Sequence, residues 1–369
     1  MDRLALSAQP GHGHSHSCSF RRVARTRDRT ESATDGSASA SSAHVDRFWA
    51  AAFPDSDFIV SFINPLTYLA LHRGITHSVI LLPIWALGLA FVFMLIVRRR
   101  YSVTAFVGVC ALGIGIHIAG DVITAFGTMI FAPFSMWRAQ IATTFIIDPF
   151  FTSIIVAGLI ASMRWKVTRA PAVIGLAVLT AYVGFQAVLH RRAVAVGNAY
   201  VAAHRLEPAQ AHAIPQPLSP FNWMVVVEHP QGYHLAYVSL LRKEITPESP
   251  ADASWFRSLS ASYRPVKDAQ WQSVLRYGAV DSDEDLAEAA WNSDVLARYR
   301  HFALFPAVYR TDRAPGRTCV WFNDLRFAVV GRAMPFRYGS CRDGVNGPWK
   351  VHRLTSDDNG TELFEAIPD

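Results

Sequence analysis

The run Leu71-His72-Arg73-Gly74-Ile75-Thr76-His77-Ser78 sets two imidazoles, a guanidinium and two hydroxyls directly before an apolar stretch, 79–97. Ionisable groups at the mouth of a membrane helix are costly to place, so they mark a site. One helix later, His117 and Asp121 stand four residues apart in a second apolar stretch and share a helix face. Upstream, Pro54-Asp55-Ser56-Asp57 supplies two carboxylates, and downstream Asp148-Pro149 supplies another. Carboxylates grouped with imidazoles suit a divalent ion such as Zn, Mn or Mg.

Spacing limits how these groups can meet. Asp55 and Asp57 face one side if their segment is extended. His72 and His77 point about 140° apart on a regular helix, so Gly74 must break that helix for both to reach one ion. Each motif also has a structural use. Thr76 or Ser78 can cap a helix beginning at residue 79. His117 and Asp121 can bond two helices together, and Asp148-Pro149 can start a helix.

The elements that must position these groups are apolar. The chain has 369 residues, 51% of them hydrophobic and 17% charged, below the roughly 25% charged usual in soluble domains. The apolar excess lies between residues 79 and 189. Four transmembrane spans are expected there, at 79–97, 103–121, 141–163 and 172–189, each near the ~20 residues that cross a bilayer. Residues 58–71 are broken by Asn64-Pro65 and suit an interfacial or re-entrant segment. Residues 124–134 are too short to span.

Arg98-Arg99-Arg100 and the group Arg164, Lys166 and Arg169 put two connections on the cytoplasmic side. His190-Arg191-Arg192 argues mildly the other way. On this orientation the Asp and His clusters all fall near the outer face, with Asp148 about 10 Å deep.

Residues 1–48 read as a disordered or extraneous leader, rich in Ser, Ala, Arg and His. From 193 the chain reads as a small soluble α+β domain. Strands are expected at 222–228 and 233–241 around a His229-Pro230-Gln231-Gly232 turn, a helical stretch at 282–305 and a further strand at 318–330. Asp324 and Arg326 read there as a structural ion pair. Cys110 reads as packing, and no CxxC pair occurs. Cys319 and Cys341 can bridge if the domain lies outside the cytoplasm. Aromatic-interleaved basic patches are absent, which argues against nucleic acid as a partner.

Taken together, Pro54-Asp55-x-Asp57, His72-Arg73-Gly74-x-Thr76-His77-Ser78, His117-x3-Asp121 and Asp148-Pro149 resemble the bacterial membrane-bound metal-dependent hydrolases, the family of the inner-membrane proteins YbcI and YdjM. Ser219-Pro220-Phe221-Asn222-Trp223 and Asp324-Leu325-Arg326-Phe327 resemble that family's C-terminal extension. The resemblance implies divalent-metal ligands at Asp55, Asp57, His72, His77, His117 and Asp121, with Asp148 nearby. Family members carry a Thr-His pair before the Pro-Asp motif, and residues 1–48 offer no equivalent.

The expected architecture is an all-α polytopic membrane domain at 49–192, with four spans and a re-entrant or interfacial segment, followed by the α+β domain at 193–369. The expected function is a metal-dependent hydrolase of the bacterial inner membrane, acting on a lipid or phosphoester at the outer face. His72 would serve as ligand or proton shuttle and Arg73 would hold an anionic group. The alternative is a non-enzymatic ion or proton pathway, or a stress-linked membrane factor, which would string its His and Asp groups across the bilayer.

Overall fold

A computed structural model describes residues 51–96, 103–245, 259–278, 282–356 and 362–367. The leader at 1–48 and the Arg98-Arg99-Arg100 connection lie outside them.

The N-terminal half begins with short turns. Pro54 fixes the first turn of a 3₁₀ helix, Pro54–Phe62. Asn64 caps α1 (Pro65–Leu71), its Oδ1 accepting from the Thr67 amide at 2.8 Å. The helix stops at His72, whose ψ of 136° leaves the helical range, and Arg73 follows with a left-handed φ of 60°. At Gly74 a Cβ would sit 2.5 Å from the Leu71 carbonyl oxygen and 2.9 Å from Met129. Only glycine fits so close an approach. A single 3₁₀ turn, Ile75–His77, follows. Ser78 Oγ accepts from the Ile80 and Leu81 amides ahead of α2 (Leu82–Ile96).

Helix α3 (Val103–Val122) packs on α2 through Ala86, Ala90, Phe93, Cys110, Ile114 and Ile118. After it the chain runs extended. Ile141, Thr143 and Thr144 donate back to the Val122 and Ile123 carbonyls. Helix α4 (Pro149–Arg164) then runs into α5 (Ala170–His204), with Gly158 and Gly175 in backbone contact between them.

This corrects the expected four-span all-α domain. Among the described residues, only α5 is both long and apolar enough to cross a membrane. Residues Pro65–His77 and Leu82–Ile96 form a pair bent by 80°, while Phe106–Val122 and Pro149–Arg164 are apolar but shorter. The physical reasons are local. Residues 79–81 form a turn, tied down by the Val79 amide on the Ile130 carbonyl. The segment 141–147 cannot enter a helix that Asp148-Pro149 starts.

Helix α5 instead overruns its expected end. At ~1.5 Å per residue its 35 residues extend about 50 Å, well beyond a ~30 Å hydrocarbon core. Its first half exposes Val173, Ile174 and Leu176, whereas Leu189, Ala193 and Gly197 of its second half are buried. They pack on Trp223, Val225, Ala236 and Val238 of the first sheet. At Gly197 a Cβ would lie 2.7 Å from Ala211 Cβ, so the helix rests directly on that sheet.

The C-terminal half mixes helices with two sheets. The first sheet contains β1 (Gln210–Pro215), β2 (Asn222–His229), β3 (Gly232–Ser239), β4 (Arg264–Pro265) and β5 (Gln272–Leu275). Its order is β1-β2-β3-β4, and β5 also pairs with β3. The expected helical stretch at 282–305 divides at Ser293 into α6 (Ser282–Asn292) and α7 (Ala297–Phe302). The second sheet is antiparallel, in the order β10-β9-β8-β7-β6. Its strands are β6 (Pro306–Ala314), β7 (Arg317–Asp324), β8 (Arg337–Asp343), β9 (Lys350–Ser356) and β10 (Glu362–Ala366).

Cys319 and Cys341 face each other across β7 and β8, with Cα atoms 4.0 Å apart, and form a disulfide. Replacing both with serine should cost the sheet about 2–4 kcal/mol. Thermal melts of the two forms check this, and equal melting would contradict it.

The two halves share one core. Leu66 and Leu69 of α1, together with Phe126, pack with Trp291, Tyr299, Phe302 and Phe322.

Candidate metal centre

Four side chains from three separate elements converge. The 3₁₀ helix Pro54–Phe62 supplies Asp55, the turn Ile75–His77 supplies His77, and the end of α3 supplies His117 and Asp121. His77 Nε2 lies 3.0 Å from Asp121 Oδ2 and 3.6 Å from Asp55 Oδ1. His117 Nε2 lies 3.4 Å from each of those oxygens. Ligand atoms of Asp55, His77 and His117 all lie within 4.8 Å of one another.

Three of these atoms, His77 Nε2, His117 Nε2 and Asp121 Oδ2, are buried and make no hydrogen bond of proper geometry. Buried polar atoms without a hydrogen-bond partner are rare and costly. Two atoms bound to one ion at about 2.0–2.2 Å stand roughly 3–3.5 Å apart. The observed separations fall in or near that range, so the donor set could hold a divalent ion.

Around the four donors lies a supporting layer. Asp57 Oδ1 accepts from His72 Nδ1 at 2.9 Å. Asp57 Oδ2 accepts from the Arg73 amide and from Thr76 Oγ1, each at 3.3 Å. Because the Thr76 hydroxyl proton goes to Asp57, Thr76 Oγ1 accepts from His77 Nδ1 at 3.0 Å. That assignment follows from the network and leaves the Nε2 lone pair turned toward the other donors.

Asp121 is held in the same way. Its Oδ1 pairs with Arg73 NH2 at 2.9 Å, while Arg73 NH1 donates to Thr124 Oγ1 at 2.9 Å. The Asp55 carboxyl, 59% exposed, forms the open side.

The structure therefore separates residues that sequence placed together. Asp55 and Asp57 do not share a face, because their segment is a 3₁₀ helix with about three residues per turn rather than extended chain. Asp57 orients His72 and Thr76, whereas Asp55 reaches the donors. His72 borders the centre, its ring centroid 5.8 Å from that of His77. Arg73 is buried against Asp121 and Thr124.

Asp148 lies outside the cluster. Its Oδ1 caps α4 through the Phe150 and Phe151 amides, and its Oδ2 accepts from Tyr182 Oη and Gln186 Nε2. Asp148→Ala should cost about 1–2 kcal/mol through the lost cap alone and leave metal affinity within twofold. A tenfold loss on titration would put Asp148 in the centre.

Sequence reasoning missed two supporting residues. Arg138 donates to the carbonyls of Ala70, His72 and Gly127, closing the C-terminal end of α1. Burial, then Arg326 and Arg73, lower its guanidinium to about 10. Its only sequence signal is a lone arginine in an apolar loop. Phe126 places its ring 4.6 Å from Arg73 Cζ, and nothing in its local sequence marks it.

Residues 30–193 match the family described as YdjM inner membrane protein. Over that stretch the chain is similar to a membrane protein of the inner membrane. The match is less than half of the chain, contains Asp55, Asp57, His72, His77, His117, Asp121 and Asp148, and stops before the two sheets. No curated protein and no solved structure matches the chain. Association with a lipid bilayer agrees with the exposed apolar side chains of α2, α4 and the first half of α5.

Proposed function

We propose that this YdjM-like membrane protein is a metal-dependent hydrolase, with Asp55, His77, His117 and Asp121 holding a divalent ion. The observation that carries the reading is the convergence of His77 Nε2, His117 Nε2 and Asp121 Oδ2, buried together without directed hydrogen bonds. Two imidazoles and two carboxylates suit Zn or Mn, with Mg the less matched. Held by these four side chains, a divalent ion would supply Lewis acidity, lowering the pKa of a water and polarising a substrate oxygen.

The chain's own groups do the rest. Asp57 and Thr76 fix the tautomer and orientation of His77. Arg73 fixes Asp121 and neutralises part of its charge. His72, with Nδ1 bonded to Asp57, keeps Nε2 as the atom able to take up or deliver a proton.

Substrate reaches the centre past Asp55, whose 3₁₀ helix exposes Phe58, Ile59 and Phe62. An apolar rim beside the entrance favours an ester or phosphoester at headgroup level, with the bilayer holding its apolar part. The clustering of the donors favours this reading over a pathway, which needs groups spread in depth. The Cys319–Cys341 disulfide supports placing the sheets outside the cytoplasm.

The test is turnover of phosphomonoester, phosphodiester and lipid phosphoester substrates by the detergent-purified protein, with Zn, Mn or Mg and with chelator. Metal-dependent turnover that is lost in His77→Ala is expected. Turnover that survives chelation, or no turnover by the metal-loaded protein on any of the three classes, would overturn the reading.

A further inference from the structure

The tail carries a buried ion pair whose arginine faces the membrane half. Asp324 is fully buried at the end of β7 and Arg326 is nearly so. Asp324 accepts from the amides of Leu304, Phe305 and Arg326 and from the Arg326 guanidinium. Arg326 uses all five of its N–H donors. Nε and Nη2 bond Asp324, Nη2 also bonds the Phe302 carbonyl, and Nη1 reaches the carbonyls of Ala125 and Phe126, about 200 residues away. A buried arginine with every donor spent holds its partners in fixed places.

Those two carbonyls belong to the strand of chain that leaves the centre. Thr124, one residue earlier, bonds Arg73 and the Asp121 carbonyl. The Phe126 ring has two guanidinium groups over it, its centroid 4.6 Å from Arg73 Cζ and 5.9 Å from Arg326 Cζ. Phe126 is also part of the core shared with α7 and β7. An unbroken set of contacts thus runs from Asp324 through Arg326 and Phe126 to Arg73, and from Arg73 to Asp121 Oδ1.

We propose that Arg326 is a positioning residue of the metal centre, so that the C-terminal sheets are a working part of the site rather than a separate appendage. The inference rests on the metal reading above. Arg326 fixes Phe126, Phe126 packs the Arg73 guanidinium, and Arg73 sets the rotamer in which Asp121 Oδ2 faces His77 and His117. Removing partners that orient metal ligands commonly lowers affinity 10- to 100-fold.

The experiment titrates Co(II) into the full-length protein in detergent and follows the visible bands, which report ligand geometry. Wild type, Arg326→Ala, Arg326→Lys and Cys319→Ser/Cys341→Ser are compared. The double serine variant weakens the tail without touching the contacts to Phe126. The expected result is a 10- to 100-fold weaker Kd and altered bands in Arg326→Ala, a smaller loss in Arg326→Lys, and wild-type values in the serine variant. Lysine has three donors, so it restores only part of the bonding.

Arg326→Ala that melts lower but keeps wild-type affinity and bands would overturn the proposal and leave the metal reading standing. Co(II) binding by no form, wild type included, would overturn both. If Arg326→Ala does not fold, Phe126→Leu replaces it, removing the flat ring over Arg73 but keeping an apolar side chain. The same affinity loss is expected, and unchanged affinity would overturn the proposal.

Discussion

Asp121→Ala is expected to abolish metal binding and to destabilise the helical half by about 3–5 kcal/mol, the usual cost of leaving one member of a buried ion pair alone. Both effects follow from the two faces of one carboxylate. Oδ1 is 2.9 Å from the Arg73 guanidinium, and Oδ2 is 3.0 and 3.4 Å from the two imidazole nitrogens. Arg73 is 5% exposed, so water cannot replace the lost partner.

Asp121→Asn separates the effects. The amide oxygen can still accept from Arg73, so most of the stability should remain. The lost charge should weaken metal affinity at least tenfold. Thermal melts and metal titration on the two variants measure the two quantities independently. If Asp121→Ala melts within about 1 kcal/mol of wild type, Arg73 is not held as described.

Asp324→Ala should be the most damaging change in the tail, again by about 3–5 kcal/mol. It strips the buried Arg326 of its counterion and removes the acceptor of the Leu304, Phe305 and Arg326 amides at one point. The partner change Arg326→Met should recover part of the loss, because an unpaired buried charge is worse than an apolar side chain of similar length. A double-mutant cycle in chemical denaturation gives the coupling energy directly. Additive losses would mean that the two side chains do not act as a pair.

Three of the four converging side chains were legible because they sit in short motifs. The His72-to-Ser78 run contains His77, and helical spacing groups His117 with Asp121 before any fold is known. The division of labour between Asp55 and Asp57 was hidden, since it turns on a 3₁₀ helix where an extended segment was expected. Asp148 was ambiguous by residue type and proves to be a helix cap.

Hydropathy over-read the membrane half. It registers the apolar character of 79–97 and 141–163, yet it cannot see that Ser78 and Asp148 start their helices late. It also cannot tell the bilayer-like first half of α5 from the second half that lies on a sheet. In the tail, the turn at 229–232 and its flanking strands were readable from alternation and turn residues, and β2 and β3 lie there. Arg138, Phe126 and the reach of Arg326 were not readable, because contacts between residues so far apart in the chain leave no local trace.

If Asp55, His77, His117 and Asp121 form one divalent-ion site, the ion should be found with the protein. The measurement is elemental mass spectrometry of the detergent-purified protein after equilibrium with Zn or Mn, wild type beside His77→Ala and His117→Ala. Stoichiometric metal in wild type and its loss from both variants are expected, because each imidazole would supply one of few ligands. Folded wild-type protein without metal, or variants that keep it, would rule out a shared site.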